Sequence, residues 1–229
     1  LSENITLNAA VSYKNLRSSN FAQVIDLLGA ETFLDVDGFA DVFYNEDGTV
    51  NTDAIQNDTN NPFRLVQEGD KFRYNYNLYA NTIQGFTQLQ FKYNKIDFFL
   101  AGSIAKTSYQ REGLYNNGGF PDEGSYGKGR KVNFDGFGAK GGFTYKFSGK
   151  HLFNANAGYL QKAPTLRNTF SNPRENHDVI GDRTNITLSE ELIKSADASY
   201  IFRSPIVNAR LTAYYNKVEN ASEVSFYYA

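Results

Sequence analysis

The sequence contains no cysteine, no methionine and no tryptophan, and only 5 prolines in 229 residues. Without cysteine the chain has no disulfides, no thiolate nucleophile and no cysteine-ligated metal. Mean hydropathy is −0.50, and no run approaches the ~20 apolar residues that a transmembrane helix needs. A net charge of −2 gives little attraction to nucleic acid, so we expect no such partner. The chain is instead rich in aromatic residues, with 19 Phe and 16 Tyr.

A strand hairpin is predicted between positions 132 and 161. Its strands are Val132–Phe147 and His151–Gln161, joined by a turn at 148–150. Side chains in a strand alternate between faces. One face collects Phe137, Ala139, Gly141, Phe143, Tyr145, Phe147, Phe153, Ala155, Ala157 and Tyr159, and the other collects glycine and polar residues. We interpret the apolar face as meeting lipid and the polar face as meeting a wet or plugged lumen, although a half-buried sheet of a soluble sandwich has the same alternation.

Five further segments predict strands, which makes about seven. They are Asn4–Lys14, Lys71–Tyr93, a strand from Ile96 to about Thr107, Leu192–Phe202, and a strand from Val207 to about Asn216. In Lys71–Tyr93 the alternation changes phase near Ala80–Ile83, which predicts a bulge. Phe99 breaks its strand's pattern and is expected to point inward. The segment Phe21–Ala30 is predicted as a short helix capped by Ser18 or Ser19.

The connections between these strands alternate strictly in length. Short turns are predicted at 94–95, 148–150 and 203–205, and long loops at about 15–70, 112–131 and 162–190. Alternate turns of an up-and-down sheet lie at alternate ends, so one end carries only short turns. Aromatic residues gather beside the short turns, as in an interfacial girdle: Phe91, Tyr93, Phe98, Tyr145, Phe147, Phe153, Tyr200 and Phe202. These features favour an all-β, antiparallel, up-and-down transmembrane β-barrel over a soluble sandwich.

The first long loop is strongly acidic. Residues 21–70 hold eleven acidic residues and one base, Arg64, a net charge of −10, whereas the rest of the chain is net +8. Asp35-Val36-Asp37-Gly38 resembles the start of a calcium loop, but the later ligand positions do not fit an EF-hand. A solvated acidic loop is the preferred interpretation, a cation site there stays open, and no specific metal or cofactor site is predicted.

The segment that ends the hairpin carries a family resemblance. Tyr159-Leu160-Gln161-Lys162-Ala163-Pro164-Thr165-Leu166-Arg167-Asn168-Thr169-Phe170 resembles a run at the top of a strand in TonB-dependent outer-membrane receptors. Leu188-Ser189-Glu190-Glu191 stands where that family commonly opens the next strand. The turn Ser204–Leu211 and the strand Tyr214–Lys217 are similar to the Bacteroidetes branch. The likeness is specific over about Phe143–Tyr228 and generic before it.

This resemblance implies a role in active transport. The receptors that the chain resembles share a 22-stranded barrel, an N-terminal plug and a TonB box. Neither a plug nor a TonB box is recognisable here. The chain also opens without a signal peptide and ends in a segment, 225–229, that is predicted to lie inside a strand, so we expect residues 1–229 to be an internal portion of one bacterial outer-membrane barrel. The implied function is TonB-dependent uptake of a large or scarce solute (glycan, peptide or metal chelate). The implied partners are outer-membrane lipid and TonB acting through the plug, and a surface lipoprotein is a further candidate partner.

The long loops supply the candidates for contact with that solute. We expect the following residues on the ligand side: Tyr115, Phe120, Tyr126, Arg130, Arg167, Phe170, Asn172, Arg174 and His177. Each also suits ordinary loop packing. No catalytic residue is predicted, and the chain is not expected to be an enzyme.

Two alternatives remain open. The barrel could scaffold a surface lipoprotein or a secretion or assembly complex, since fold does not determine function. It could also be an outer-membrane hydrolase that uses His177-Asp178 and Asp182, although no partnered serine motif accompanies them.

Overall fold

The computed structural model describes residues 3–38, 40, 44–45, 47–182 and 187–223, and it is an antiparallel all-β structure. The strands are β1 (Ile5–Gln23), β2 (Phe33–Leu34), β3 (Leu65–Val66), β4 (Lys71–Lys92), β5 (Ile96–Gly113), β6 (Gly127–Lys128), β7 (Val132–Lys146), β8 (His151–Lys162), β9 (Glu191–Arg203) and β10 (Asn208–Glu219). Two short 3-10 helices cover Asp122–Gly124 and Leu166–Asn168. No helix in the described ranges is long and apolar enough to cross a membrane.

The main sheet follows the chain in order, as β1-β4-β5-β7-β8-β9-β10, with β6 paired to β5. It is not closed, so β1 and β10 are its edges. β2 and β3 form a separate small sheet. The predicted all-β class and the seven long antiparallel strands are therefore confirmed. The predicted chain end inside a strand at 225–229 lies outside the described residues.

The first strand corrects the sequence prediction. β1 continues nine residues past Lys14 to Gln23, because the 22 residues of β4 offer a partner along its whole length. The predicted helix over Phe21–Ala30 is wrong. Phe21 and Ala22 pair with β4, and Leu28 and Gly29 have positive φ values of 52° and 93° that a right-handed helix does not contain.

The predicted bulge near Ala80–Ile83 is also wrong. The pairing of β1 with β4 is continuous from Ile5–Phe91 to Phe21–Asn75, and the register shifts only between Phe21 and Ala22. The change of phase has another cause, since the apolar residues of β4 change face. Tyr76 and Leu78 point to the inner face, which the loops cover, whereas Ile83 and Leu89 point to the outer face.

The alternation of short and long connections is confirmed. The short turns are residues 93–95, 147–150 and 204–207, and the long ones are 24–70 (loop A), 114–131 (loop B) and 163–190 (loop C). Because every pairing between the long strands is antiparallel, all three loops leave the same end of the sheet.

An apolar band runs across the outer face of the sheet. Directly paired residues point to the same side, and the register joins the predicted apolar faces of all seven strands. The band consists of the outward residues of 5–13, 83–91, 96–104, 137–145, 153–159, 196–202 and 209–215. Many of its large side chains are exposed, such as Val11 to 80%, Leu100 to 60%, Ile104 to 68% and Leu211 to 77%.

The band is slanted relative to the hydrogen-bonded rows. One row joins Ala9, Thr87, Gly102, Ala139, Tyr159, Lys194 and Lys217, so it is apolar at β1 and charged at β9 and β10. On β10 the band ends at Tyr215, which is in register with Leu7 of β1, whereas on β1 the band continues six residues further toward the loops, to Tyr13. The band therefore drops by about one residue per strand. An offset of ~3.3 Å (one residue) for every ~4.8 Å between strands corresponds to an angle of roughly 35°. If the band lies parallel to a plane, the strands are therefore tilted by this angle from the normal to that plane.

The inner face of the part of the sheet nearest the short turns is polar, and several of its side chains contact one another. Asn156 donates to Asn154 and to Asp197 at 2.8 and 2.9 Å. A Cβ added at Gly142 would lie 2.8 Å from Cε1 of Phe99. Phe99 points inward as predicted, and the glycine opposite leaves room for its ring.

Candidate functional site

The upper inner face forms a small core under loop C. Tyr76, Leu78, Tyr109 and Phe134 from the strands pack with Phe170 and Val179 from loop C. The hydroxyl of Tyr109 donates to the carbonyl of Pro164 at 3.0 Å. Loop C is thereby held against the inner side of the sheet rather than extending away from it.

Arg111 joins the loops near the end of β5. It is only 2% exposed. Its guanidinium donates to the carbonyls of Pro173 in loop C and Ser125 in loop B, both at 2.7 Å, and lies 5.3 Å from the ring centre of Tyr76. Burial lowers the pKa of Arg111 to about 10, which still leaves it a cation at neutral pH.

His177 is the second buried group of this junction. Its Nδ1 lies 3.0 Å from Nη1 of Arg111, and its Nε2 lies 3.3 Å from the carbonyl of Tyr126. Since a guanidinium only donates, Nδ1 accepts and the ring proton sits on Nε2. Burial and the adjacent Arg111 lower the pKa of His177, which keeps the imidazole neutral.

Two glycines permit this close approach of the loops. A Cβ at Gly129 would lie 2.6 Å from the ring of His177, and a Cβ at Gly113 would lie 1.7 Å from the carbonyl oxygen of Ser125. Both contacts are closer than real Cβ atoms allow, so these positions require glycine while the junction is intact.

Loop A joins loop B through a buried carboxylate. Asp35, 3% exposed, pairs with Arg64 at 2.5 Å, and it accepts from the Asn57 amide at 2.7 Å and from the Arg73 N–H at 2.9 Å. Arg64 also donates to the hydroxyl of Tyr115 at 2.9 Å. Asp35, the first residue of the calcium-like stretch, is therefore occupied by protein donors. Within the described ranges no three acidic or histidine side chains are grouped to hold a metal.

Where the three loops meet, they enclose a cavity of about 860 Å³ on the inner side of the sheet. Tyr74, Tyr76, Leu78 and Phe170 give it apolar and aromatic surface. Its polar lining is made of Asn20, Asp37, Asn57, Arg73, Asn117, Arg167, Ser171, Asn172, Arg174 and Glu175. The guanidinium of Arg174 lies 5.1 Å from the ring centre of Tyr74. A volume in this range with convergent polar groups is typical of ligand sites.

The nine predicted ligand-side residues divide between this cavity and other places. Arg167, Phe170, Asn172 and Arg174 line the cavity. The other five lie in the loop junctions. His177 is buried against Arg111, Tyr115 contacts Arg64, Arg130 pairs with Asp182 at 2.5 Å, Phe120 packs beside Gly124, and Tyr126 is half exposed with its carbonyl at His177.

β4 also contributes to the cavity, which was not expected from the sequence. Arg73, Tyr74 and Tyr76 belong to this strand and line the cavity, but they are not among the nine predicted residues. The available signal was the phase of Tyr74, Tyr76 and Leu78, which is opposite to that of Ile83 and Leu89. Arg111 gave no sequence signal, because a single arginine near a strand end is usually solvated.

Comparison with known proteins adds no assignment: no family model, curated protein or solved structure matches the chain.

Proposed function

We propose that the chain forms part of a transmembrane β-barrel in a bacterial outer membrane, which takes up a large or scarce solute with energy relayed by TonB. The observation that carries this proposal is the slanted apolar band. On each strand the band extends over seven to nine residues, near the 9–11 that a tilted strand needs to cross a bilayer. Its apparent tilt of roughly 35° falls in the range for outer-membrane barrels.

The edges of the band also support this proposal. At its lower border, beside the short turns, Phe91 and Phe98 stack with ring centres 4.4 Å apart, and Tyr145 meets Phe147 at 4.9 Å. Above it, toward the loops, the outward positions become charged at Lys106 and Asp135, and at Lys194 paired with Glu219. Interfacial aromatic residues on one side and charges on the other fit the two borders of a bilayer.

The transport role rests on the resemblance at Tyr159–Phe170 together with the cavity. That segment continues from the upper end of β8 into loop C and supplies Leu166, Arg167 and Phe170 to the cavity lining. In a transporter, a cavity at the loop end of the barrel would bind the solute before its passage through the lumen. The sheet of this chain is open, and we propose that further strands close the barrel, about 22 in all.

Uptake can be tested without knowing the solute. The producing bacterium, a strain lacking this protein and a strain lacking TonB would be grown in the same medium, and the solutes left behind would be quantified by mass spectrometry. We expect at least one solute to be retained in both mutant cultures and consumed by the parent. A solute retained without this protein but consumed without TonB would contradict energy-coupled uptake.

The same comparison separates the alternatives. A scaffold for a surface lipoprotein or secretion complex predicts unchanged solutes and loss of partner proteins from a pull-down. A hydrolase predicts peptide or lipid cleavage that His177→Ala abolishes. The contacts of His177 argue against the hydrolase, because Arg111 occupies the Nδ1 that an orienting carboxylate would need.

A further inference from the structure

The polar lining of the cavity between the loops is unevenly charged. Three arginines line it, Arg73, Arg167 and Arg174, against two acidic residues, Asp37 and Glu175. Among the described residues, no carboxylate lies within ion-pair distance of any of the three guanidinium groups. All three side chains are exposed, so their donors remain available to a ligand.

A fourth cation, Arg111, lies behind the ring of Tyr76, which lines the cavity. Arg111 is buried under Tyr76, and its described hydrogen-bond partners are two carbonyls and the neutral His177. One of those carbonyls belongs to Pro173, which itself lines the cavity. A buried charge without a counter-charge is costly, so a negative group entering the cavity would be favoured by Arg111 as well as by the exposed arginines.

The acidic character of loop A does not reverse this preference. Of those of its acidic residues that the structure describes, only Asp37 lines the cavity, and Asp35 is neutralised by Arg64. Exposed charges farther away than ~8 Å are largely screened at physiological ionic strength. The groups that touch a ligand therefore decide the sign of the charge that is accepted.

We propose that this cavity binds a ligand that carries two or more oxyanion groups, with an apolar or ring portion placed against Tyr74 and Tyr76. The guanidinium fork suits carboxylate and phosphate groups, to which it donates two parallel hydrogen bonds. The contact of Arg174 with the ring of Tyr74 positions one guanidinium group beside the aromatic surface of the cavity before a ligand binds. This proposal rests on the proposed transport function for its biological meaning, and it names the chemical class of the transported solute.

The test is calorimetric titration of the detergent-purified protein at constant ionic strength. The probes are citrate, pyrophosphate and triethyl citrate, which keeps the citrate skeleton without its charges. We expect citrate or pyrophosphate to bind at least about tenfold more tightly than triethyl citrate. Tighter binding of citrate would indicate a carboxylate ligand, and tighter binding of pyrophosphate a phosphate ligand.

The variants Arg167→Gln and Arg174→Gln should each weaken anion binding by about tenfold or more. Arg17→Gln is the matched control, because Arg17 also lies over a tyrosine ring, that of Tyr79 at 5.6 Å, but outside the cavity. Equal binding of the charged and neutral probes would overturn the proposal, as would equal losses in the three variants. Because no TonB or membrane potential enters this experiment, its failure is distinct from a failure of the uptake test.

Discussion

The lower and upper parts of the sheet use the same strands in opposite ways. In the lower part, between about residue 82 of β4 and the short turns, the large apolar side chains point outward and many are exposed, whereas the inner face is polar. Above that level, Tyr76 and Leu78 point inward and are buried under loop C. The backbone pairing continues unbroken through the change. The apolar face of each part thus follows what covers it, which is loop C above and, on our proposal, lipid below.

This comparison predicts different sensitivities to mutation in the two parts. The largest effect is expected in the upper part from Arg111→Ala, which would leave the carbonyls of Pro173 and Ser125 without their donor and open a void beside Tyr76. We expect a loss of about 3–5 kcal/mol in the stability of the loop junction, because two hydrogen bonds from a charged donor are lost and each contributes about 1.5–3 kcal/mol. The measurement is limited proteolysis of loops B and C in denaturant. Arg210→Ala on the lower inner face, where the side chain is exposed, is the control, and an equal loss there would contradict the central role of Arg111.

In the lower part, two neighbouring residues of β4 allow the two faces of the sheet to be compared. Leu89 belongs to the apolar band, and Gln88 points to the polar inner face. Leu89→Arg should cost about 2–4 kcal/mol if its face meets the bilayer core, whereas Gln88→Arg should be nearly neutral. Urea titration of the protein folded into lipid vesicles measures both, and comparable costs for the two would mean that the faces are misassigned.

A smaller effect is expected from added bulk at the loop junction. Gly129→Ala would place a methyl group against the ring of His177 and should destabilise the junction by about 1–3 kcal/mol. Gly149→Ala, in a short turn with nothing within 4 Å of the added Cβ, should be nearly neutral. The same proteolysis assay compares the two variants. If both substitutions are tolerated, the contact between Gly129 and His177 is not tight, which would contradict the prediction.

The smallest effect is a pH dependence of the junction. Because the pKa of His177 in the folded protein lies below the ordinary histidine pKa of about 6.5, the unfolded junction binds more protons as the pH falls through about 6.5. Stability contributed by neutral His177 is therefore complete above that pH and is lost as the pH falls toward the folded pKa. Proteolysis of loop C should accelerate over this range. His177→Asn, which keeps an acceptor but does not titrate, should remove the acceleration, and an identical pH profile for the variant would assign it to another group.

Local alternation was sufficient to predict the seven strands, because the face of each residue depends only on its position along an extended chain. Alternation did not reveal that β1 reaches Gln23, since that extension depends on the length of its partner β4. The phase change at Ala80–Ile83 was read as a backbone irregularity because the sequence does not show that loop C covers Tyr76 from the other side.

The candidate site was only partly predictable for a related reason. Arg167, Phe170, Asn172 and Arg174 are close together in the chain and enter the cavity together. His177 and Arg130 were placed with them because they belong to the same loops, yet each is held by a partner more than 50 positions away in sequence, Arg111 and Asp182. Such pairings depend on how the three loops fold against one another.

The central claim is that the strands cross a membrane at a tilt, and it is tested most directly at Ala9 and Lys194. These residues lie on one hydrogen-bonded row of the sheet, and the absence of native cysteine allows a single spin label at either one. In lipid vesicles we compare the accessibility of each label to oxygen, which concentrates in lipid, and to a water-soluble nickel chelate. Our account predicts that the label at position 9 lies within the bilayer and the label at position 194 at its surface. Equal depths for the two, or water exposure of both, would contradict it.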